Sequence, residues 1–350
     1  MPQGTPRSEQ IQSTETHGGK DLIKDKALKL PWAAVGLALC GMALGWAGMD
    51  THAQSFPIKP IRLIVPYSAG GGADATARLF TAGVSEGLGS QLVVENRSGA
   101  GGRIGAELVA RASPDGYTLL LVTTIFPVSV SLGSNLRYDP EKDFTAVTLL
   151  VKAPSIFAVH PSLPVNSIRE LIALAKANPG KINYAGGIGS TLQLFTELFK
   201  VAAKIDMLHV PYNGTGPALI GVLSGEAAVI VAPGALVPYV RSGRLRALAI
   251  TSLQRSQALP DLPTVAESGL PGFEATQWYG VMAPAGTPDN VAARLNSEFV
   301  RVVRTPQMKA LLIKDASIPI GSTPAELAAH LKDEIAKWAQ VVKLARIRVD

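Results

Sequence analysis

The chain has 350 residues and a formal net charge of +6 at pH 7, with 47% hydrophobic and only 17% charged residues. That length predicts about two domains, and the apolar content excludes an intrinsically disordered chain, which needs low hydrophobicity and high net charge. Only one uncharged stretch approaches membrane-spanning length, which excludes a polytopic membrane protein.

That stretch comes first. Residues 1–29 are polar, and Lys20, Lys24, Lys26 and Lys29 lead into an uncharged run from Ala33 to Met49. Thr51-His52-Ala53 follows as a small-residue exit. A basic leader, an apolar run and such an exit predict a secretory signal over residues 1–53. The alternative is an uncleaved anchor. In both cases the positive charge before the run keeps the N-terminus inside and exports the remainder. A lipoprotein reading fits less well, because Leu39 precedes Cys40. Residues 1–53 hold five basic and five acidic side chains, so the exported part keeps its charge of +6, and it has no cysteine. Stability must then come from a core without disulfides, which suits a bacterial periplasm better than a small secreted domain. The basic residues are scattered, so nucleic acid is not an expected partner. A mild positive field suits anionic small molecules.

Along the exported part, short apolar runs predict strands at 61–65, 92–95, 118–123, 147–151, 156–159, 182–185, 208–210, 229–231, 247–250 and 279–282. Runs of this kind suggest strands buried on both faces of a parallel sheet. Helices lie between many of them. Ala77, Phe80, Val84 and Leu88 recur at helical spacing, as do Leu194, Phe195, Leu198, Phe199 and Ala202. Ser167 with Glu170 reads as a capping box, and Asn178-Pro179-Gly180 ends that helix. Thr323-Pro324-Ala325-Glu326 combines an N-cap, a first-turn proline and an acidic third position, and Thr287-Pro288 opens a helix in the same way. Leu331, Ile335, Trp338 and Val342 give the last helix one apolar stripe. The alternation is that of an α/β protein.

Two loops could carry chemistry. Pro66-Tyr67-Ser68-Ala69-Gly70-Gly71-Gly72-Ala73-Asp74 joins a strand to a helix, and Gly186-Gly187-Ile188-Gly189-Ser190-Thr191 does so again. Glycine-rich strand-to-helix loops leave backbone N–H groups free to point at an anion. Neither loop is a P-loop or a GxGxxG nucleotide site. Ser190 and Gln193 read as a further capping box. Ser68 and Ser190 lack a nucleophile elbow, and His160, His209 and His330 are too far apart for a metal site. His209 reads as a core strand residue. Trp278-Tyr279 stands out in a chain poor in aromatics.

The motifs Lys59-Pro60-Ile61-Arg62-Leu63-Ile64-Val65-Pro66, Val94-Glu95-Asn96-Arg97, Pro114-Asp115-Gly116-Tyr117, His209-Val210-Pro211-Tyr212, Leu262-Pro263-Thr264-Val265 and Ala283-Pro284-Ala285-Gly286-Thr287-Pro288 occur in this order. With them the chain resembles the Bug-type (TctC-like) substrate-binding proteins of tripartite tricarboxylate transporters. The resemblance implies a periplasmic binding protein fold, two α/β domains around a ligand cleft. Residues 56–155 plus 277–350 would form the first domain and 156–276 the second. It implies a small organic acid as ligand, membrane permease subunits as partners, and a monomer with no cofactor, no metal and no catalytic activity. Carried over by position, Tyr67, Ser68, Ala69, Gly70, Gly71 and Asp74 would bind from the first loop. Gly187, Gly189, Ser190 and Thr191 would bind from the second. Thr123 and Thr124 would line the cleft, with Tyr212 opposite. Three positions depart from the family's habit: Tyr67 for Phe, Gln193 for His, and Ala232 for an Asp. The last favours an apolar or aromatic tail over an amino acid. Alternative functions are a ligand sensor for a membrane regulator and a serine esterase at Ser190 or Ser68.

Overall fold

The computed structural model describes residues 56–131 and 136–345. The expected signal segment, residues 1–53, lies outside the described residues. In chain order the elements are β1 (Ile61–Val65), α1 (Gly72–Leu88), β2 (Leu92–Asn96), α2 (Arg103–Ala110), β3 (Thr118–Thr123), α3 (Ile125–Ser131), β4 (Phe144–Pro154) and β5 (Ile156–Val159). Then come α4 (Ile168–Ala177), β6 (Asn183–Gly186), α5 (Thr191–Ala203), β7 (Leu208–Pro211), α6 (Thr215–Leu223), β8 (Val229–Ala232), α7 (Val237–Arg241) and β9 (Arg246–Ile250). The chain closes with β10 (Thr276–Pro284), α8 (Asp289–Val303), α9 (Pro306–Lys314), β11 (Ile318–Pro319) and α10 (Pro324–Ala345).

The strands form two sheets, ordered β11-β4-β10-β3-β1-β2 and β7-β6-β8-β5-β9. Both are mixed. β1 runs parallel to β2 and β3, but β10 is antiparallel to β3 and β4. β6 runs parallel to β7 and β8, but β5 is antiparallel to β8 and β9. The all-parallel expectation is corrected here. A continuous apolar run such as Ile156–Val159, buried throughout, reports coverage of both faces and not strand direction.

Local chemistry sets the helix boundaries. Ser167 Oγ accepts from Glu170 N–H at 3.2 Å, while Glu170 Oε2 accepts from Asn166 N–H at 2.7 Å, one residue before the box's usual partner. Thr323 and Glu326 make the reciprocal pair, with N–H to carboxylate at 2.8 Å and N–H to hydroxyl at 3.3 Å. The 287–288 expectation is corrected: Thr287 Oγ1 donates back to Pro284 O, and Pro288 takes the N-cap position of α8. Inside the helices the apolar stripes are buried, Ala77, Phe80, Val84 and Leu88 on α1 and Leu194, Phe195 and Phe199 on α5. Each fully buried Phe or Leu contributes roughly 1.5–3 kcal/mol.

Two chain crossings join the sheets, and they are hydrogen-bonded to each other. Ser155, between β4 and β5, donates its N–H to Thr251 Oγ1 at 2.8 Å and accepts from Thr251 N–H at 2.9 Å. Thr251, just past β9, in turn donates its hydroxyl to Ala275 O at 2.5 Å, just before β10. α10 is shared. Leu327 and Leu331 pack with Leu120 and Trp278 of the larger sheet, whereas Trp338, Val341 and Val342 pack with Phe157 and Phe195 around the smaller one. Glu334, between them, accepts from the indole N–H of both Trp278 (3.0 Å) and Trp338 (2.9 Å).

Candidate functional site

Both glycine-rich loops leave the carboxyl end of a strand and enter a helix, the placement where open α/β sheets bind ligands. After β1 the chain turns with Gly71 N–H donating to Ser68 O at 3.4 Å. Gly70 sits at φ +79°, a left-handed conformation that suits glycine. Its N–H donates to Asp74 Oδ2 at 2.9 Å. Asp74 is buried and also accepts from Arg78 Nε and Asn96 Nδ2, each at 3.0 Å. Asn96 Nδ2 reaches on to Tyr67 O at 3.1 Å. The Arg78 guanidinium, helped by the Gly70 N–H, holds the Asp74 carboxyl down at about 2. Asp74 thus braces the loop from behind and spends its lone pairs doing so.

The first intrahelical bond of α1 is Ala75 N–H to Gly71 O, 2.9 Å. The N–H groups of Gly72, Ala73 and Asp74 therefore have no intrahelical acceptor and form the positive end of the helix. Ser68, Ala69, Gly70 and Gly71 are exposed around them. Half-buried Tyr67 pairs its hydroxyl with Thr123 Oγ1 at 2.8 Å, and burial pushes its phenol up.

The second loop repeats the construction. Ser190 N–H donates to Gly187 O at 3.1 Å, Gly189 sits at φ +69°, and its N–H donates to Gln193 Oε1 at 2.7 Å. Gln193 Nε2 lies 3.4 Å from His209 Nδ1, and His209 Nε2 lies 2.9 Å from Gly186 O. A carbonyl only accepts, so His209 carries its hydrogen on Nε2 and receives the Gln193 amide on Nδ1. His209, expected as a core residue, is the far end of the loop's brace. The capping-box expectation for Ser190 and Gln193 is corrected: Ser190 Oγ donates to Gly187 O at 2.7 Å and makes no cap bond. Leu194 N–H to Ser190 O opens α5 at 2.9 Å, which leaves the N–H groups of Thr191, Leu192 and Gln193 without an intrahelical acceptor.

The expected residues thus fall into two sets, Tyr67 to Asp74 with Thr123, and Gly187 to Thr191. Among the described residues no hydrogen bond or ion pair spans the two sets. Two others are placed elsewhere. Thr124 is fully buried; its hydroxyl donates to Thr276 O at 3.2 Å and accepts from Trp278 N–H at 3.0 Å, which ties β3 to β10. The Tyr212 ring packs against Gly221 of α6, and only its backbone carbonyl faces Gly187. Burial and the Glu226 carboxylate push the Tyr212 phenol up.

A cavity of about 400 Å³ opens beside the first loop, walled by Gly72, Thr76 and Tyr279 and, from the segment after β8, by Pro233 and Gly234. A larger cavity of about 560 Å³ lies along β9, near Arg241 and Leu259, and holds no residue of either loop. We take the smaller one as the relevant space, because it alone adjoins a free helix N-terminus. Sequence reasoning had not joined Tyr279 to the site. Its register partner on β3 is Thr123, a pairing that the sequence does not display. Among the described residues no group of three or more His, Cys, Asp or Glu could hold a metal ion, and no helix is long and apolar enough to cross a membrane.

BugT of Bordetella pertussis is 37% identical over 313 residues, 88% of this chain and 96% of BugT. Among solved structures, Rhodopseudomonas palustris Rpa4515 with adipate is 35% identical, covers 84% of this chain and 99% of its own, and superposes with a TM-score of 0.72. MatC of the same species, with bound malate, is 33% identical over 82% of this chain and all of its own, with a TM-score of 0.69. These structures share the fold, two α/β sheets with helices, as expected of a periplasmic binding protein. Residues 76–347 match the Tripartite tricarboxylate transporter family receptor. The chain belongs to that family, whose members are periplasmic solute-binding receptors and not enzymes.

Proposed function

We propose that this protein captures an organic carboxylate outside the cytoplasm and hands it to the membrane subunits of a tripartite transporter. The observation that carries the reading is the pair of braced loops. Each fixes a glycine N–H on its own helix and leaves the three N–H groups of the first helical turn unspent. Burying a carboxylate requires compensating hydrogen bonds, and preorganised backbone donors supply them without a reorganisation cost. The adipate of Rpa4515 and the malate of MatC are carboxylates held by relatives of the same fold.

In this reading Tyr67, Ser68, Ala69, Gly71 and Thr123 face the ligand from one side, and Gly187, Ser190 and Thr191 from the other. Asp74, Gly70 and Gly189 act by holding the loops. Residues 56–155 with 277–350 and residues 156–276 form the two closing halves, each built on one sheet. Residues 1–53 direct export to the periplasm, and the receptor works as a monomer.

Residues 54–350, titrated calorimetrically with a panel of mono-, di- and tricarboxylates, test it. Saturable binding of one acid at micromolar concentration, with no product formed, is the expected result. Turnover of a carboxylic ester, or failure of every acid to bind, would sink the proposal.

A further inference from the structure

The ligand class can be narrowed from the cavity beside the first loop. We infer that the captured acid is a monocarboxylate whose apolar body lies in this cavity of about 400 Å³. The inference rests on the carboxylate reading above and adds where the rest of the molecule goes.

Continuity is the first argument. Gly72 is both a wall of the cavity and the first residue of α1, whose N–H is one of the unspent donors. An acid held at that N-terminus therefore directs its body along the flank of α1. The wall continues to Leu79, seven residues on, or about 10 Å along the helix at 1.5 Å per residue. At the other side Gly234 meets the Asp315 carbonyl so closely that a Cβ on Gly234 would lie 2.8 Å from it. Backbone thus shuts that side. The volume lies within the range of about 300–1,000 Å³ typical of ligand pockets.

Chemistry is the second argument. Leu79 is a large apolar side chain left 39% exposed, and the exposed part faces this space. Val151, Ala153 and Pro233 continue the apolar surface. Among the described residues lining the cavity there is no Lys, Arg or His, and the one ionisable group besides the Tyr279 phenol is the acid Asp315. A second carboxylate would enter without a counter-charge, which disfavours its ionised form.

Octanoate and suberate separate the possibilities, because they have the same length and differ in one terminal carboxylate. By calorimetry octanoate should bind at least tenfold more tightly than suberate. Leu79→Lys, at a partly exposed position, supplies the missing counter-charge and should shift the ratio at least tenfold toward suberate. That gain cannot arise from misfolding. Suberate binding as tightly as octanoate to the parent protein, or a ratio unmoved by Leu79→Lys, would overturn the inference while leaving the receptor intact. Failure of octanoate, suberate and propionate alike would overturn the carboxylate reading beneath it.

Discussion

The loop after β1 and the loop after β6 solve one problem with different chemistry. In each, the residue three places into the helix reaches back to a left-handed glycine, Asp74 to Gly70 at 2.9 Å and Gln193 to Gly189 at 2.7 Å. The turn beneath is also shared, from Ser68 O to Gly71 N–H and from Gly187 O to Ser190 N–H. The brace differs in charge. Behind the first loop stands Arg78, which neutralises a carboxylate. Behind the second stands His209, which pairs with an amide. The fold needs an acceptor at that position, and the group behind it decides which kind. In neither loop does an uncompensated negative charge stand behind donors meant for an anion.

Substitutions that exchange the two solutions break or sharpen this comparison. Asp74→Ala has the largest expected effect: it frees Gly70 and strips Arg78 and Asn96 of their partner. Hydrogen bonds to a charged group contribute about 1.5–3 kcal/mol, so carboxylate affinity should fall by more than about tenfold, with a lower melting temperature. If both survive, the brace is not what orders the first loop. Gln193→Glu places a carboxylate behind the second loop and turns one partner of His209 from donor to acceptor. Calorimetry should show about a tenfold loss, at roughly 1.4 kcal/mol per decade. Gln193→Ala removes the bond to Gly189 N–H, about 1 kcal/mol, together with the long 3.4 Å contact to His209, and should cost about fivefold. A larger loss than from Gln193→Glu would show that charge is not the issue.

Ser190→Ala should lower the melting temperature less than Ser167→Ala, because only Ser167 caps its helix. Removing a true N-cap costs about 1 kcal/mol. The smallest effect is in acid. With its folded value depressed to about 2, Asp74 contributes its full stabilisation above the ordinary carboxylate value of about 4. That contribution is lost only as pH falls through about 2. Proton NMR of the Gly70 amide should show no midpoint as pH falls from 7 to about 3. A midpoint near 4 would mean that Arg78 does not hold the carboxylate.

Much of this was legible in the sequence. Apolar runs marked the ten strands of any length, because burial on both faces demands them. Strand direction was not legible, since that demand is the same for either orientation. β11 has two residues and one ladder of contacts, too little for any pattern. The glycine-rich loops announced themselves, but the aim of their side chains did not. Ser190 and Gln193 had the spacing of a capping box, yet Gly189 N–H lay closer to the amide and Gly187 O to the hydroxyl. Tyr212 follows β7, with its N–H on Gly186 O beside the second loop, while the space left by Gly221 draws its ring away. Thr124 follows Thr123 directly, and strand alternation sends neighbouring side chains to opposite faces. One meets Tyr67 and the other disappears beneath β10.

The position of β10 reaches beyond binding. It lies between β3 and β4 at the centre of the larger sheet, yet residues 276–284 supply it. A chain synthesised from its N-terminus has β3 and β4 in hand long before the strand that joins them. Until then both present apolar edges with nothing to pair with, and the sheet cannot close. Assembly of the larger sheet is therefore deferred until most of the polypeptide exists. The same deferral is a hazard for any product that stops short of residue 276, because it carries two unpaired strand edges into a crowded compartment.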